Sequence, residues 1–229
     1  MKRFNYTGGK QPESILQGKI IEFLRLREWV VMETHGNKYQ SGFPDLYCFH
    51  HTFGVRWVEV KRPIGYRFTS AQIHFFPHIQ KVWIMTAPTE VEYAKLFSDP
   101  NWKKFIRPNQ DIAPYSPQQL PLPENIEGKI QKLIVEELEN NSYTVMVTFG
   151  SVYQKGFPDL LTLRLGVSKW VEVKVSPTRS IFTPNQRKYF PLMDACNIGI
   201  WILDKPGQLF RLSDPPNWRK YKENVEWWY

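Results

Sequence analysis

The chain is written twice, and that constrains its fold more than any other feature. GFPDL at Gly42–Leu46 returns at Gly156–Leu160, and each copy leads about a dozen residues later into WVEVK, at Trp57–Lys61 and Trp170–Lys174. Upstream, QGKIIEFLRLREWVVMETHGNKYQSGFPDL reads against EGKIQKLIVEELENNSYTVMVTFGSVYQKGFPDL. Anchored on the shared GKI, the second copy has four extra residues before V-M-x-T-x-G. Downstream, FTSAQIHFFP matches FTPNQRKYFP, VWIM matches IWIL, and LFSDPNWKKF matches LSDPPNWRKY. Two isolated motifs can coincide; a whole series in one order is an internal duplication.

The join, Ile106–Asn125, carries prolines at 108, 114, 117, 121 and 123. Proline removes a donor and restricts the residue before it, so this piece reads as a semi-rigid linker. The expected organisation is a first domain at 1–107, a linker at 108–122 and a second domain at 123–229. Each domain is small but long enough for one core, which the 42% hydrophobic and 15% aromatic content can fill.

Cys48 and Cys196 cannot make a disulfide framework, and nothing spaces them with histidines as a zinc site. Both read as buried small residues in a reducing compartment. MKRFNYTGGKQPES has no apolar stretch of the secretory kind, and no run approaches the roughly eighteen apolar residues of a membrane span. The expected location is therefore cytoplasmic or nucleoid-associated, not secreted. A formal charge of +8 suits a phosphate-bearing partner without requiring one.

Within each copy the elements follow one order. Leu16, Ile20, Phe23 and Leu24 fall at helical spacing over Ser14–Glu28, as do Ile126, Ile130, Leu133, Ile134 and Leu138 in the second copy. WVVMET and YTVMVT read as strands, followed by a loop, the Pro-Asp turn and a short strand, LYCFH or LLTLRL. WVEVK ends the next strand, a helix starts near Thr69 or Thr183, and VWIM or IWIL closes the sheet. The expected class is α/β: two tandem domains, each a small mixed sheet flanked by helices.

A strand's period of two puts Trp57, Glu59 and Lys61 on one face and Val58 and Val60 on the other. Trp170, Glu172 and Lys174 repeat this against Val171 and Val173. The hairpin-like connection brings Asp45 towards Glu59 and Asp159 towards Glu172. Two carboxylates with a backbone carbonyl nearby are the hard oxygen ligands that Mg²⁺ or Mn²⁺ prefers. A bound cation would polarise a phosphoryl oxygen and acidify a water, with the lysine orienting that water or stabilising developing charge.

Asp45 with Glu59-x-Lys61, and Asp159 with Glu172-x-Lys174, resemble the PD-(D/E)xK nuclease signature, and both copies retain the proline, Pro44 or Pro158. PESILQGKI, SGFPDLY, WVEVKRP and FTSAQ most resemble the VRR-NUC group and its Holliday-junction-resolvase-like relatives, over nearly all of each repeat. The resemblance implies a restriction-endonuclease-like fold and a Mg²⁺-dependent DNA phosphodiesterase, with Mn²⁺ substituting. It implies metal binding by Asp45, Glu59 and the Val60 carbonyl, and by Asp159, Glu172 and the Val173 carbonyl, with Lys61 and Lys174 handling water. The family's helical glutamate followed four residues later by glutamine fits Glu13 with Gln17. In the GKI alignment Pro123 stands opposite Glu13 and Glu127 opposite Gln17, which leaves Glu124, one position away, as the expected second-copy ligand.

Other residues admit two readings. The bland alternative for each Asp/Glu/Lys set is a turn-capping aspartate beside a surface Glu–Lys pair, although VEV is an apolar setting for a surface pair. Gln72 and Gln186 complete TSAQ and TPNQ capping boxes, and they also stand where the family has its catalytic glutamine. Arg62, Arg67, Arg179, Arg187 and Lys188 read either as a phosphate track or as solvated charges. Lys38, Tyr39, Tyr153 and Lys155 enter the Pro-Asp turns, where they suit DNA contact or core packing equally. His50, His51, His74 and His78 have no second-copy counterparts, which argues against a shared chemical role or a zinc cluster. Glu33 and His35, opposite Val147 and Phe149, are the candidates for a difference between the sites.

The leading expectation is an endonuclease working as an intramolecular pseudo-dimer, one site for each strand of duplex DNA. A branched-DNA resolvase shares all of this chemistry, and a DNA-binding protein with vestigial nuclease folds is the non-enzymatic alternative. No membrane partner is expected, and further self-association is left open.

Overall fold

The computed structural model describes residues 12–34, 40–106, 124–148, 154–175 and 182–221. Gln40 apart, these residues form two compact units, one on each side of the proline-rich stretch. Among the described residues there are five α-helices and two four-stranded sheets. No helix among them is long and apolar enough to cross a membrane.

The first unit runs α1 (Glu13–Arg25), β1 (Val30–Glu33), β2 (Leu46–His50), β3 (Gly54–Val60), α2 (Ser70–Ile79), β4 (Val82–Met85) and α3 (Glu90–Ala94). Its sheet order is β1-β2-β3-β4, with antiparallel pairs except the last, which is parallel. That parallel step follows from α2, because two parallel neighbours need a crossover to return the chain to the same end. The second unit repeats the plan with α4 (Ile126–Asn140), β5 (Thr144–Val147), β6 (Leu160–Arg164), β7 (Val167–Val173), α5 (Pro184–Ala195) and β8 (Ile200–Leu203). Its sheet has order β5-β6-β7-β8 and the same strand directions.

Alternation along β3 divides the core. Val58 and Val60 pack with Leu46, Cys48 and Val31 against Leu16, Ile20 and Leu24 of α1. In the second unit Val171, Val173 and Leu160 pack against Ile134 and Leu138 of α4. Trp57 points the other way, to Tyr47 and Phe43, and α2 lies on that side. Each side chain so buried contributes about 1.5–3 kcal/mol relative to exposure. Cys48 is fully buried and free, and burial pushes its thiol well up; Cys196 is half-buried and also free. Each tail docks on its own unit: Trp102 meets Phe76 edge-on and Trp218 meets Phe190 the same way. Asn101 and Asn217 accept from Ile84 and Ile202 N–H at 2.7 and 2.6 Å, which satisfies backbone groups on the edge strands β4 and β8.

The register of the two first helices differs from the GKI alignment. Trp29 N–H bonds Leu24 O as Tyr143 N–H bonds Leu138 O, so Leu24 is equivalent to Leu138. That separation of 114 residues also relates Thr34 to Thr148 and Asp45 to Asp159. It pairs Glu13 with Glu127 and Gln17 with Gln131 without any insertion. Gly18 and Gly128 are not equivalent, and the first is exposed while the second is buried. Burial of the same apolar stripe, not identity of three residues, sets the helix against its sheet.

Candidate functional site

Each Pro-Asp turn is fastened by the threonine that follows the first strand. Thr34 N–H donates to Asp45 O at 2.9 Å and its hydroxyl to Pro44 O. Thr148 does the same at 2.9 Å to Asp159 O and 2.8 Å to Pro158 O. Gly42 and Gly156 make the turn possible. Their φ values of +96° and +93° favour glycine, and a Cβ on Gly42 would lie 2.7 Å from Ala71 O at the start of α2.

The turn delivers Asp45 opposite Glu59, one step beyond the Leu46–Val58 pair. Each acid then accepts from backbone across the pairing. Asp45 Oδ2 accepts from Val60 N–H at 2.8 Å, and Glu59 Oε2 accepts from Asp45 N–H at 3.2 Å. Glu59 Oε1 meets Lys61 Nζ at 2.5 Å and Gln72 Nε2 at 2.5 Å. Glu13, at the start of α1, comes within 3.8 Å of Lys61 Nζ. In the second unit Asp159 Oδ2 accepts from Val173 N–H at 2.8 Å, and Glu172 Oε1 meets Lys174 Nζ at 2.5 Å and Gln186 Nε2 at 2.6 Å.

Glu59 is 0% exposed and Glu172 1%, so neither belongs to a surface ion pair. The glutamines cap their helices and also reach the buried glutamates. Gln72 Oε1 accepts Thr69 N–H and Gln186 Oε1 accepts Thr183 N–H, completing the capping boxes, while each Nε2 reaches its glutamate. Val60 and Val173 give their N–H groups to the aspartates.

The carboxyls are hard to ionise. Burial pushes Glu59 up to about 8, Asp45 adds to this, and Lys61 partly offsets it. Burial likewise raises Glu172, against Lys174, and raises Asp159 well above its ordinary value, with Glu172 adding to the effect. Burial alone would lower Lys61 and Lys174, but Glu59 and Glu172 more than reverse it. The shared cause is negative charge crowded into a desolvated place with one cation for two or more acids.

That donor set fits a hard divalent cation. It offers two carboxylates from adjacent strands, and in the second unit Glu172 Oε2 is buried with no hydrogen-bond partner among the described residues. An unpaired buried carboxylate oxygen carries a desolvation penalty that a ligated cation would relieve.

Glu127, not Glu124, takes the place of Glu13. Glu127 acts electrostatically on Asp159, Glu172 and Lys174, whereas Glu124 lies exposed before α4. The expectation for Glu124 is corrected accordingly. Arg62, Arg67, Lys155 and Lys188 are exposed, and Arg187 donates to Phe182 O at 3.2 Å. Lys38, Tyr39, Tyr153, Arg179, His35 and Phe149 lie outside the described residues. The part that Thr34 and Thr148 play in the turns escaped sequence reasoning, although the repeated V-M-x-T was a signal for it.

Away from these sites, Glu28, His50 and His51 bring ligand-type atoms within 4.8 Å of one another. His50 Nδ1 accepts Thr52 N–H at 3.0 Å, which puts the neutral ring's proton on Nε2. This is a histidine satisfied locally, and Arg164 and Leu165 replace the pair in the second unit.

No family model, no curated protein and no solved structure matches this chain.

Proposed function

We propose that each unit carries a divalent-cation-dependent phosphodiester-hydrolysing site of the PD-(D/E)xK kind on a restriction-endonuclease-like fold, and that the chain is a DNA endonuclease. The observation that carries this reading is an Asp/Glu/Lys/Gln arrangement, buried but for its half-buried aspartate, that is built twice with the same bonds, at Asp45, Glu59, Lys61, Gln72 and at Asp159, Glu172, Lys174, Gln186. A purely structural role gives no reason to bury acids that resist ionisation.

Asp45 with Glu59, and Asp159 with Glu172, would hold Mg²⁺ or Mn²⁺; when bound, the cation supplies Lewis-acid polarisation of the phosphate and a more acidic water. Lys61 and Lys174 orient the attacking water and donate to the charge that builds on the phosphoryl oxygens. Gln72 and Gln186 hold Oε1 of each glutamate, which fixes the rotamer and, in the second unit, leaves Glu172 Oε2 for the ligand. The overall charge of +8 favours a polyanionic substrate. Two sites on one chain suit cleavage of two strands, because linkage raises the effective concentration of the second site.

The test is digestion of supercoiled plasmid and of a four-way junction with Mg²⁺, using wild type, Lys61→Ala, Lys174→Ala and the double variant. Wild type should linearise or resolve, each single variant should mainly nick, and the double should be inert. Full double-strand cleavage by both single variants would exclude the two-site assignment.

A further inference from the structure

The described residues contain two buried polar side-chain atoms with no hydrogen-bond partner, and both belong to the second unit: Glu172 Oε2 and Gln131 Nε2. The carboxylate oxygen fits a cation. The amide nitrogen does not, because it is a donor without a lone pair to offer. Gln131 is only 4% exposed, so bulk water does not satisfy it, and an unmet buried donor is destabilising.

The first unit shows what the same position does when it has a partner. Gln17, the equivalent of Gln131, donates through Nε2 to Glu33 Oε2 at 3.4 Å. Val147 stands where Glu33 does, at the end of β5, and an isopropyl group accepts nothing. One exchange on the strand therefore releases one amide on the helix.

The released donor lies beside the site. Gln131 is one turn beyond Glu127 on the same face of α4, and Glu127 is felt by Asp159, Glu172 and Lys174. Val147 pairs with Leu160, the residue after Asp159, and the next residue, Thr148, bonds Asp159 O. The missing partner is an acceptor brought in by the ligand. A site with a lysine and cation-binding acids receives such an acceptor as a phosphate oxygen.

We propose that Gln131 Nε2 donates to a non-bridging oxygen of the phosphodiester bound in the second site, and that the first site lacks this contact because Gln17 is tied to Glu33. The two sites are then unequal. The first presents an extra carboxylate, which repels phosphate, and the second presents an extra donor, so the second site binds and cuts its strand first. The inference rests on the phosphodiesterase reading above.

The test uses the full chain with ¹⁵N-labelled glutamine side chains, the Gln131 amide being identified by its loss in Gln131→Leu. A short DNA duplex and a four-way junction are titrated without divalent cation. The Gln131 resonances should shift saturably while those of Gln17 stay still, and Glu33→Val should make Gln17 respond. Kinetically, in a Lys61→Ala background that leaves only the second site, Gln131→Leu should lower kcat/KM for nicking about tenfold. In a Lys174→Ala background, Glu33→Val should raise it. An unmoved Gln131 amide on a chain that binds DNA, as a trapped water would give, overturns the proposal and leaves the nuclease reading intact. A Gln17 response equal to that of Gln131 in wild type also overturns it. If neither DNA shifts any glutamine resonance or is cut with Mg²⁺, the nuclease reading falls and the proposal falls with it.

Discussion

Gln72 holds Glu59 and the start of its own helix with one side chain: Nε2 lies 2.5 Å from Glu59 Oε1 while Oε1 accepts Thr69 N–H at 3.1 Å. The cap and the site therefore cannot be changed independently at this residue. They can be separated by choice of substitution. Gln72→Glu keeps an acceptor for Thr69 N–H but sets a second acid against the buried Glu59. It should be destabilising at pH 8, where both acids are pressed to ionise, and much less so at pH 5. Thr69→Ala removes only the cap and should cost about 1 kcal/mol at both pH values. Urea denaturation at the two pH values checks this. A Gln72→Glu variant as stable as wild type at pH 8 would mean that the glutamine does not touch Glu59.

The raised carboxyls also set the pH dependence of stability without divalent cations. The unfolded chain releases the Glu59 proton near its ordinary value of 4.5, but the folded chain holds it to about 8. Between those values the folded state binds more protons, so stability falls as pH rises through the window. Glu172 and Asp159 are raised too and act in the same sense. Denaturation midpoints in EDTA should therefore be lower at pH 8 than at pH 5. The Glu59→Gln, Glu172→Gln double variant should lose most of that slope. A wild type that gains stability from pH 5 to pH 8 would contradict the burial of these acids.

The repeated Gly-Phe-Pro-Asp turn has a steric reason that can be tested apart from chemistry. At Gly42 the φ of +96° combines with a close approach, a Cβ there falling 2.5 Å from the Phe75 ring and 2.7 Å from Ala71 O. At Gly54 the φ of +69° is also positive, but no atom lies within 4 Å of an added Cβ. Gly54→Ala should cost about 1–2 kcal/mol, the backbone penalty alone. Gly42→Ala should cost about 2–4 kcal/mol, because helix backbone must also move. Equal losses in urea melts would show that the turn does not press against α2.

These relationships were legible in the sequence to different depths. Period two along WVEVK was enough to put Glu59 and Lys61 on one face and Val58 and Val60 in the core, because a strand's geometry is fixed by its backbone. The capping boxes were readable from Thr69-x-x-Gln72, but the reach of Gln72 to Glu59 was not, since it depends on where the crossover lands the helix. Upstream, the GKI identity misled: Leu16, Ile20 and Leu24 match Ile130, Ile134 and Leu138 in what they bury, while Gly18 and Gly128 sit in different turns. Three identical letters carried less physical information than one apolar stripe. The cross-strand grip, Asp45 on Val60 N–H and Glu59 on Asp45 N–H, arises only when two strands pair, so no linear pattern announces it.

Divalent cations should stabilise the folded chain, and more so at high pH. A ligand that binds only the folded state adds RT ln(1 + [L]/Kd), about 1.4 kcal/mol at tenfold excess over Kd. Mg²⁺ or Mn²⁺ competes with the protons on Glu59, Asp159 and Glu172, so the increment in Tm should be small at pH 5 and grow towards pH 8. Asp45→Asn and Asp159→Asn are the informative variants. Asparagine can still accept from Val60 or Val173 N–H, so the turn is retained, but the charge that holds a cation is gone. Each should remove the cation's effect on one unit only, and the double variant should be indifferent to Mg²⁺ and Mn²⁺ at every pH. A wild-type chain whose Tm does not respond to either ion at pH 8 would leave the paired acids without a ligand and remove the basis for reading them as a metal site.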